Sequence, residues 1–117
     1  MADRMFLVEP GFQDPDYPGG AQDIFYCPDC LPIEGVLALY PQALAELEVS
    51  RVPFPRPRNT VIELIGEDNQ DLPKLVLDED ASPQLATGTH NGTPYVSGVK
   101  EILAALSERY GIPKGHF

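Results

Sequence analysis

Cys27-Pro28-Asp29-Cys30, set directly before the apolar run Leu31 to Tyr40, and Leu72-Pro73, leading into Lys74-Leu75-Val76-Leu77, are the stretches on which the reading of this chain turns. Two thiols three positions apart at a helix start can close into a disulfide and reopen. They are the chain's 2 cysteines. That number is too small for a secreted disulfide scaffold, so the close pair points to redox or metal use.

Outward from the dithiol, Ile33, Val36, Leu37 and Tyr40 share one face, which predicts a first helix from Pro28 to Tyr40. Pro32 lies within its first turns and is expected to remove a hydrogen bond there and distort it. Pro41 to Leu47 reads as a short second helix or a kinked continuation. Upstream, Met5 to Val8 is an apolar strand ended by Pro10-Gly11. The connection from Gly11 to Tyr26 is long, and its aromatics Phe12, Tyr17, Phe25 and Tyr26 predict a packed segment beside the dithiol.

Downstream, Val49 to Phe54 reads as a strand, and Pro57 opens a helix with Val61, Ile62, Leu64 and Ile65 as its apolar face and Gly66 as its stop. Leu75 to Leu77 is a strand, and Tyr95-Val96 is a second one after the tight-turn dipeptide Asn91-Gly92. Asp78 to Thr89 is polar and irregular, with an edge strand near Leu85 as the regular element it offers. Val99, Ile102, Leu103, Leu106 and Tyr110 fall at helical spacing, with Ser97 or Gly98 as cap and Gly111 and Pro113 as stop. The expected fold is α/β, a central mixed four-stranded sheet flanked by helices on both faces.

With 117 residues and 43% hydrophobic content, residues 1–117 form one domain able to bury a core. Lys and Arg total 8 against 18 Asp and Glu, a net charge of -10, which excludes a nucleic-acid backbone as partner. The N-terminal segment has no signal-peptide pattern and no stretch reaches membrane-spanning length, so the chain reads as soluble and cytoplasmic, with no membrane partner.

The element order, the dithiol at the first helix start and Leu72-Pro73 ahead of the third strand resemble the thioredoxin-like superfamily, in particular its glutaredoxin and glutathione-transferase N-terminal branch. The resemblance runs from Met5 to Tyr110. More narrowly, the long loop, the dithiol, Phe54-Pro55-Arg56-Pro57-Arg58 and Leu72-Pro73 look like a bacterial domain-of-unknown-function family (family 3088). The superfamily resemblance implies that Cys27 is the nucleophile and Cys30 the resolving thiol. It implies a cis Pro73, with the Leu72 backbone pairing with a bound thiol peptide or glutathione. It also places Ser97 where that branch binds the glutamyl carboxylate, although Val96 stands where transferases carry an acid.

A thiolate is the attacking species, and a helix N-terminus favours it; Asp29 and the missing amide of Pro28 work against it, so a modestly activated Cys27 is expected. Lys74 is either an arm for a carboxylate such as that of glutathione or an ordinary exposed strand lysine. Phe12, Tyr17, Phe25 and Tyr26, the last directly before Cys27, either pack the long loop onto the domain or clamp a ligand near Cys27. Arg56 and Arg58 read as solvated surface charge, or as cations kept for an anionic ligand. His90 and His116 lack the spacing of zinc ligands, so no metal site is expected within one chain.

The leading expectation is a small thiol-disulfide oxidoreductase without a resident cofactor. Its partner would be a disulfide-containing protein or a glutathione-like small thiol, with glutathione as an available co-substrate. The rival is a non-catalytic thioredoxin-like binding module with structural or regulatory cysteines, compatible with a homodimer. A metal or cluster carrier built from two dithiols across a dimer is the third.

Overall fold

In the computed structural model, which describes residues 2–117, the chain forms a mixed α/β fold. The strands are β1 (Arg4–Val8), β2 (Glu48–Val52), β3 (Lys74–Val76), β4 (Gly88–His90) and β5 (Thr93–Ser97). The helices are α1 (Leu31–Leu39), α2 (Asn59–Ile65) and α3 (Val99–Tyr110), with short 3-10 turns at Glu67–Asn69 and Pro83–Leu85. The sheet order is β2-β1-β3-β5-β4. β1 runs parallel to β2 and antiparallel to β3, and the remaining pairings are antiparallel.

Alternation along the central strands sorts the core into two layers. Met5, Leu7, Leu75 and Val96 face α1 and α3, packing with Ile33, Ile102 and Leu106. Phe6 and Val76 face the other way, onto Val61 and Ile65 of α2. Each of these fully buried side chains contributes roughly 1.5–3 kcal/mol. The sheet is thus covered on both faces, as its apolar strands predict.

The sheet has five strands rather than the four expected. Gly88–His90 carries little apolar signal, yet it pairs with β5 through Thr89↔Pro94 and His90↔Thr93. The turn between them is Asn91-Gly92, with φ of 48° and 82°, which glycine and asparagine tolerate. The tight hairpin therefore joins β4 to β5, and the edge strand lies just past Leu85, which itself sits in a 3-10 turn.

Two helix expectations also change. α1 begins at Leu31, so Pro32 occupies the first turn, where the missing amide costs nothing and no distortion is required. Pro41 to Leu47 forms consecutive turns instead of a helix. Tyr40 leaves helical geometry at φ -125° and ψ 52°. The Leu44 amide bonds four residues back to Tyr40, whereas Ala45 and Leu47 bond three back to Gln42 and Leu44, and Leu44 and Leu47 are buried. α3 ends as its sequence predicts, with Gly111 in left-handed geometry accepting the helix stop.

Candidate functional site

The dithiol stands where three elements meet. Cys30 is the residue before α1, and its backbone amide donates to Cys27 Sγ at 3.2 Å. Such an amide is one of the unpaired donors of a helix start, and a sulfur anion is favoured there. Cys30 Sγ in turn accepts from the Val8 amide at 3.4 Å, at the carboxyl end of β1. Both cysteines are free thiols, Cys27 partly exposed and Cys30 only 3% exposed.

Their chemistry is asymmetric. Burial pushes the Cys30 thiol up to about 12, assisted by its hydrogen bond and charge interaction with Cys27 and by Glu34. At neutral pH Cys30 is therefore held protonated, while Cys27 presents its sulfur to solvent beside a donor amide.

The strand register brings the second motif to the same end of the sheet. Phe6 pairs with Lys74 in the antiparallel β1–β3 ladder. The ladder ends there, so Leu72-Pro73 enters β3 at the sheet end toward which β1 runs, the end where the Val8 amide holds the Cys30 sulfur. The Leu72–Pro73 bond is cis, as the resemblance implies; Arg56–Pro57 is cis as well. Pro73 is buried and Leu72 half-buried. Ser97 faces Lys74 across the β3–β5 ladder, and its amide donates to Thr87 Oγ1 at 2.8 Å. It precedes Gly98, the cap residue of α3.

Lys74 and Arg58 are corrected by the structure. Lys74 is 2% exposed, not a surface lysine, and its Nζ lies 3.0 Å from Asp71 Oδ2. Burial alone would raise the Asp71 carboxyl, but the Lys74 hydrogen bond and charge leave it lowered. Arg58, expected as surface charge, is 6% exposed. Its guanidinium donates to Phe54 O at 2.6 and 3.1 Å and to Gln70 O at 2.8 Å, and its amide to Gln70 Oε1 at 2.8 Å. Burial and the nearby Arg56 make this cation less favourable, and interaction with Cys27, Cys30 and Asp71 offsets them in part.

Arg58 thus ties the Phe54–Arg58 turn to the segment entering Leu72-Pro73 and sets a fixed positive charge in range of both sulfurs. Sequence reasoning missed this role. The signal was there in part, since a cation at a helix start opposes the dipole and needs another reason to be present. Arg58→Met is expected to lower stability by roughly 1–3 kcal/mol, because the carbonyls of Phe54 and Gln70 lose their donor. Circular dichroism melts read this loss, and a variant melting with the native protein would show that Arg58 does not hold the turn.

The long loop packs as its aromatics predict. Phe12 and Phe25 form a bridge, with Phe25 N donating to Phe12 O at 2.7 Å. Phe12 stacks on Phe54 with centroids 4.3 Å apart, and Tyr17 lies 4.6 Å from Phe25. Tyr26 is 58% exposed and sits between two hollows flanking Cys27. One, of about 300 Å³, is lined by Cys27, Cys30, Leu31, Glu34 and Arg51; in it Arg51 Nε donates to Glu34 Oε2 at 2.8 Å. The other, of about 450 Å³, is aromatic.

Among the described residues no group of three or more His, Cys, Asp or Glu side chains is placed to hold a metal ion, and no helix is long and apolar enough to cross a membrane. Compared with known proteins, the chain matches over residues 2–114 the family described as "Protein of unknown function (DUF3088)", and it belongs to that family. Neither a curated protein nor a solved structure matches it.

Proposed function

We propose that this member of the family is a thioredoxin-like thiol-disulfide oxidoreductase working in a reducing, cytoplasmic setting. The observation that carries the reading is the asymmetric dithiol: a partly exposed Cys27 sulfur on the amide at the start of α1, backed by a buried Cys30. The element order and the cis proline entering β3 at the same sheet end support it.

The chemistry runs in two exchanges. The Cys27 thiolate attacks one sulfur of a substrate disulfide, forming a mixed disulfide and expelling the other sulfur as a thiolate that takes a proton from solvent. Cys30, losing its proton, then attacks Cys27 Sγ, expels the second substrate thiolate and closes the Cys27–Cys30 disulfide. The substrate gains two electrons and leaves as two thiols. Two molecules of an external small thiol of the glutathione class then reduce the enzyme disulfide, the first forming a mixed disulfide with one cysteine and the second displacing that cysteine as a thiol and leaving as the small-thiol disulfide.

Selective alkylation of Cys27 at neutral pH, together with reduction of a glutathione mixed disulfide, is the expected result. Equal inertness of both thiols would leave the groove as a binding module without redox function.

The second exchange carries a pH signature. Attack requires the Cys30 thiolate, and a thiol pushed up to about 12 supplies roughly tenfold more of it for each pH unit gained below that value. Once Cys27 is in a mixed disulfide its hydrogen bond and charge no longer act on Cys30, so burial is the main remaining cause of the raised value. Single-turnover closure of the mixed disulfide should therefore accelerate continuously from pH 6 to 9 without a plateau. A rate that levels off near pH 7 would contradict a buried, protonated resolving thiol.

A further inference from the structure

The hollow of about 450 Å³ beside Cys27 is walled by Phe12, Tyr17, Phe25, Tyr26 and Pro28, with Asp14 at its rim. Its walls are held from within: the Phe12–Phe25 bridge closes the loop base, and Asp14 accepts from the Asp16 amide at 3.0 Å, fixing the turn that carries Tyr17. Tyr17, Ile24 and Tyr26 are exposed at its mouth, at 50%, 66% and 58%. Large apolar groups left in water around one concavity mark a binding surface.

Asp14 is the one charged residue in the lining of this hollow. Between Arg4 and Arg51 the sequence contains no lysine or arginine, while Asp14, Asp16, Asp23 and Asp29 lie in the loop and dithiol segment. Arg58, whose guanidinium packs against the lining residue Phe54, is turned onto the backbone acceptors of Phe54 and Gln70. Aromatic faces with carboxylates at the rim attract organic cations and repel anions. The same cluster already holds one guanidinium, since Arg58 Cζ lies 5.6 Å from the Phe54 ring centroid.

We propose that this hollow binds the guanidinium group of an arginine in a peptide partner, placed so that a neighbouring disulfide meets Cys27. A planar, weakly hydrated guanidinium stacks on Tyr and Phe faces while its N–H groups reach the Asp14 carboxylate. The placement relative to the disulfide rests on the oxidoreductase reading; the cation site does not. Tyr26 and Pro28, on either side of Cys27, carry the link between the two.

The test begins with protein carrying Cys27→Ser and Cys30→Ser together, so that binding is read without redox chemistry. Titration with N-acetyl-arginine N-methylamide, followed by amide NMR shifts, should perturb residues 12–17 and 24–28. The neutral isostere N-acetyl-citrulline N-methylamide should bind about fivefold more weakly or worse, and Asp14→Asn and Tyr26→Ala should each weaken the arginine probe by a similar factor. Equal binding of both probes, shifts elsewhere on the molecule, or no saturable shift would overturn the proposal.

With the native cysteines, disulfide peptides carrying arginine or citrulline next to cysteine are then compared as substrates. Reduction of both at one rate defeats the placement of the arginine beside the disulfide and leaves the oxidoreductase reading standing. Binding of the arginine probe with neither peptide reduced defeats the oxidoreductase reading alone.

Discussion

Cys30→Ser protein is expected to remain joined to its substrate through Cys27, and Cys27→Ser protein to lose reductase activity by on the order of a thousandfold or more. The difference follows from where each sulfur sits. Cys27 is the accessible nucleophile, with the Cys30 amide 3.2 Å from its sulfur, and serine oxygen at the same place does not attack disulfides at neutral pH. Cys30 is 3% exposed, so no substrate disulfide reaches it directly. Its substitution leaves the first exchange intact and removes the second.

After incubation with oxidised glutathione, mass spectrometry of Cys30→Ser should therefore show a single glutathionyl group on Cys27. The double substitution should show none. In Cys30→Ser the serine hydroxyl can still accept from the Val8 amide, which keeps the helix start in place. Adducts on Cys30 in the Cys27→Ser protein, at the rate seen for Cys27, would reverse the assignment of the two roles.

The sequence carried the elements with strong periodicity and left the weakly patterned ones open. α3, with Ile102, Leu103 and Leu106 buried at helical spacing and Gly111 as its stop, lies where its pattern places it. α2 ends at Gly66 for the same reason. β4 could not be read, because Gly88-Thr89-His90 has no apolar alternation and is held by its ladder to β5 and the Asn91-Gly92 turn. Pro41 to Leu47 misled because Leu44 and Leu47 fit a helical face equally well as buried anchors of successive turns.

Within the site, the local signals were legible and the long-range ones were not. Cys27 at a helix start follows from a short motif, and the cis proline ahead of β3 is what the superfamily resemblance implies. The exposed readings of Lys74 and Arg58 fail because a single sequence gives no sign that a charged side chain is buried until its partners are known. Lys74 is accommodated by Asp71, and Arg58 by carbonyls at Phe54 and Gln70 that no pattern in the chain singles out.

Replacing Asp3 by alanine should lower stability by roughly 3 kcal/mol and the melting temperature by on the order of 10 °C. Asp3 is 0% exposed and lies just ahead of β1. Its carboxylate accepts from Arg109 Nε at 2.7 Å, Arg109 Nη2 at 2.8 Å, Tyr110 Oη at 2.6 Å and the Asp78 amide at 2.8 Å. One side chain thereby ties the chain's first strand to the last turn of α3 and to the segment leaving β3. Removal takes this acceptor away from the tyrosine hydroxyl and the Asp78 amide, although Arg109 keeps Asp80 at 3.1 Å, which limits the loss.

The pH dependence fixes the sign. Burial alone would raise the Asp3 carboxyl, but hydrogen bonds from Arg109, Tyr110 and Asp78 outweigh it and hold the group below the usual carboxylate range. A carboxyl lowered on folding contributes stability above its unfolded value, about 4, and that contribution disappears as pH falls through the folded one. The native protein should therefore lose melting temperature on acidification below about pH 4 more steeply than Asp3→Asn, which has no proton to take up. Asp3 lies at the amino end of β1 and the dithiol at its carboxyl end, so alkylation of Cys27 at neutral pH should be the same in both proteins while folded. A variant melting within a degree or two of the native protein, or with the same acid slope, would show that the Asp3 network is no clamp between the chain's two ends.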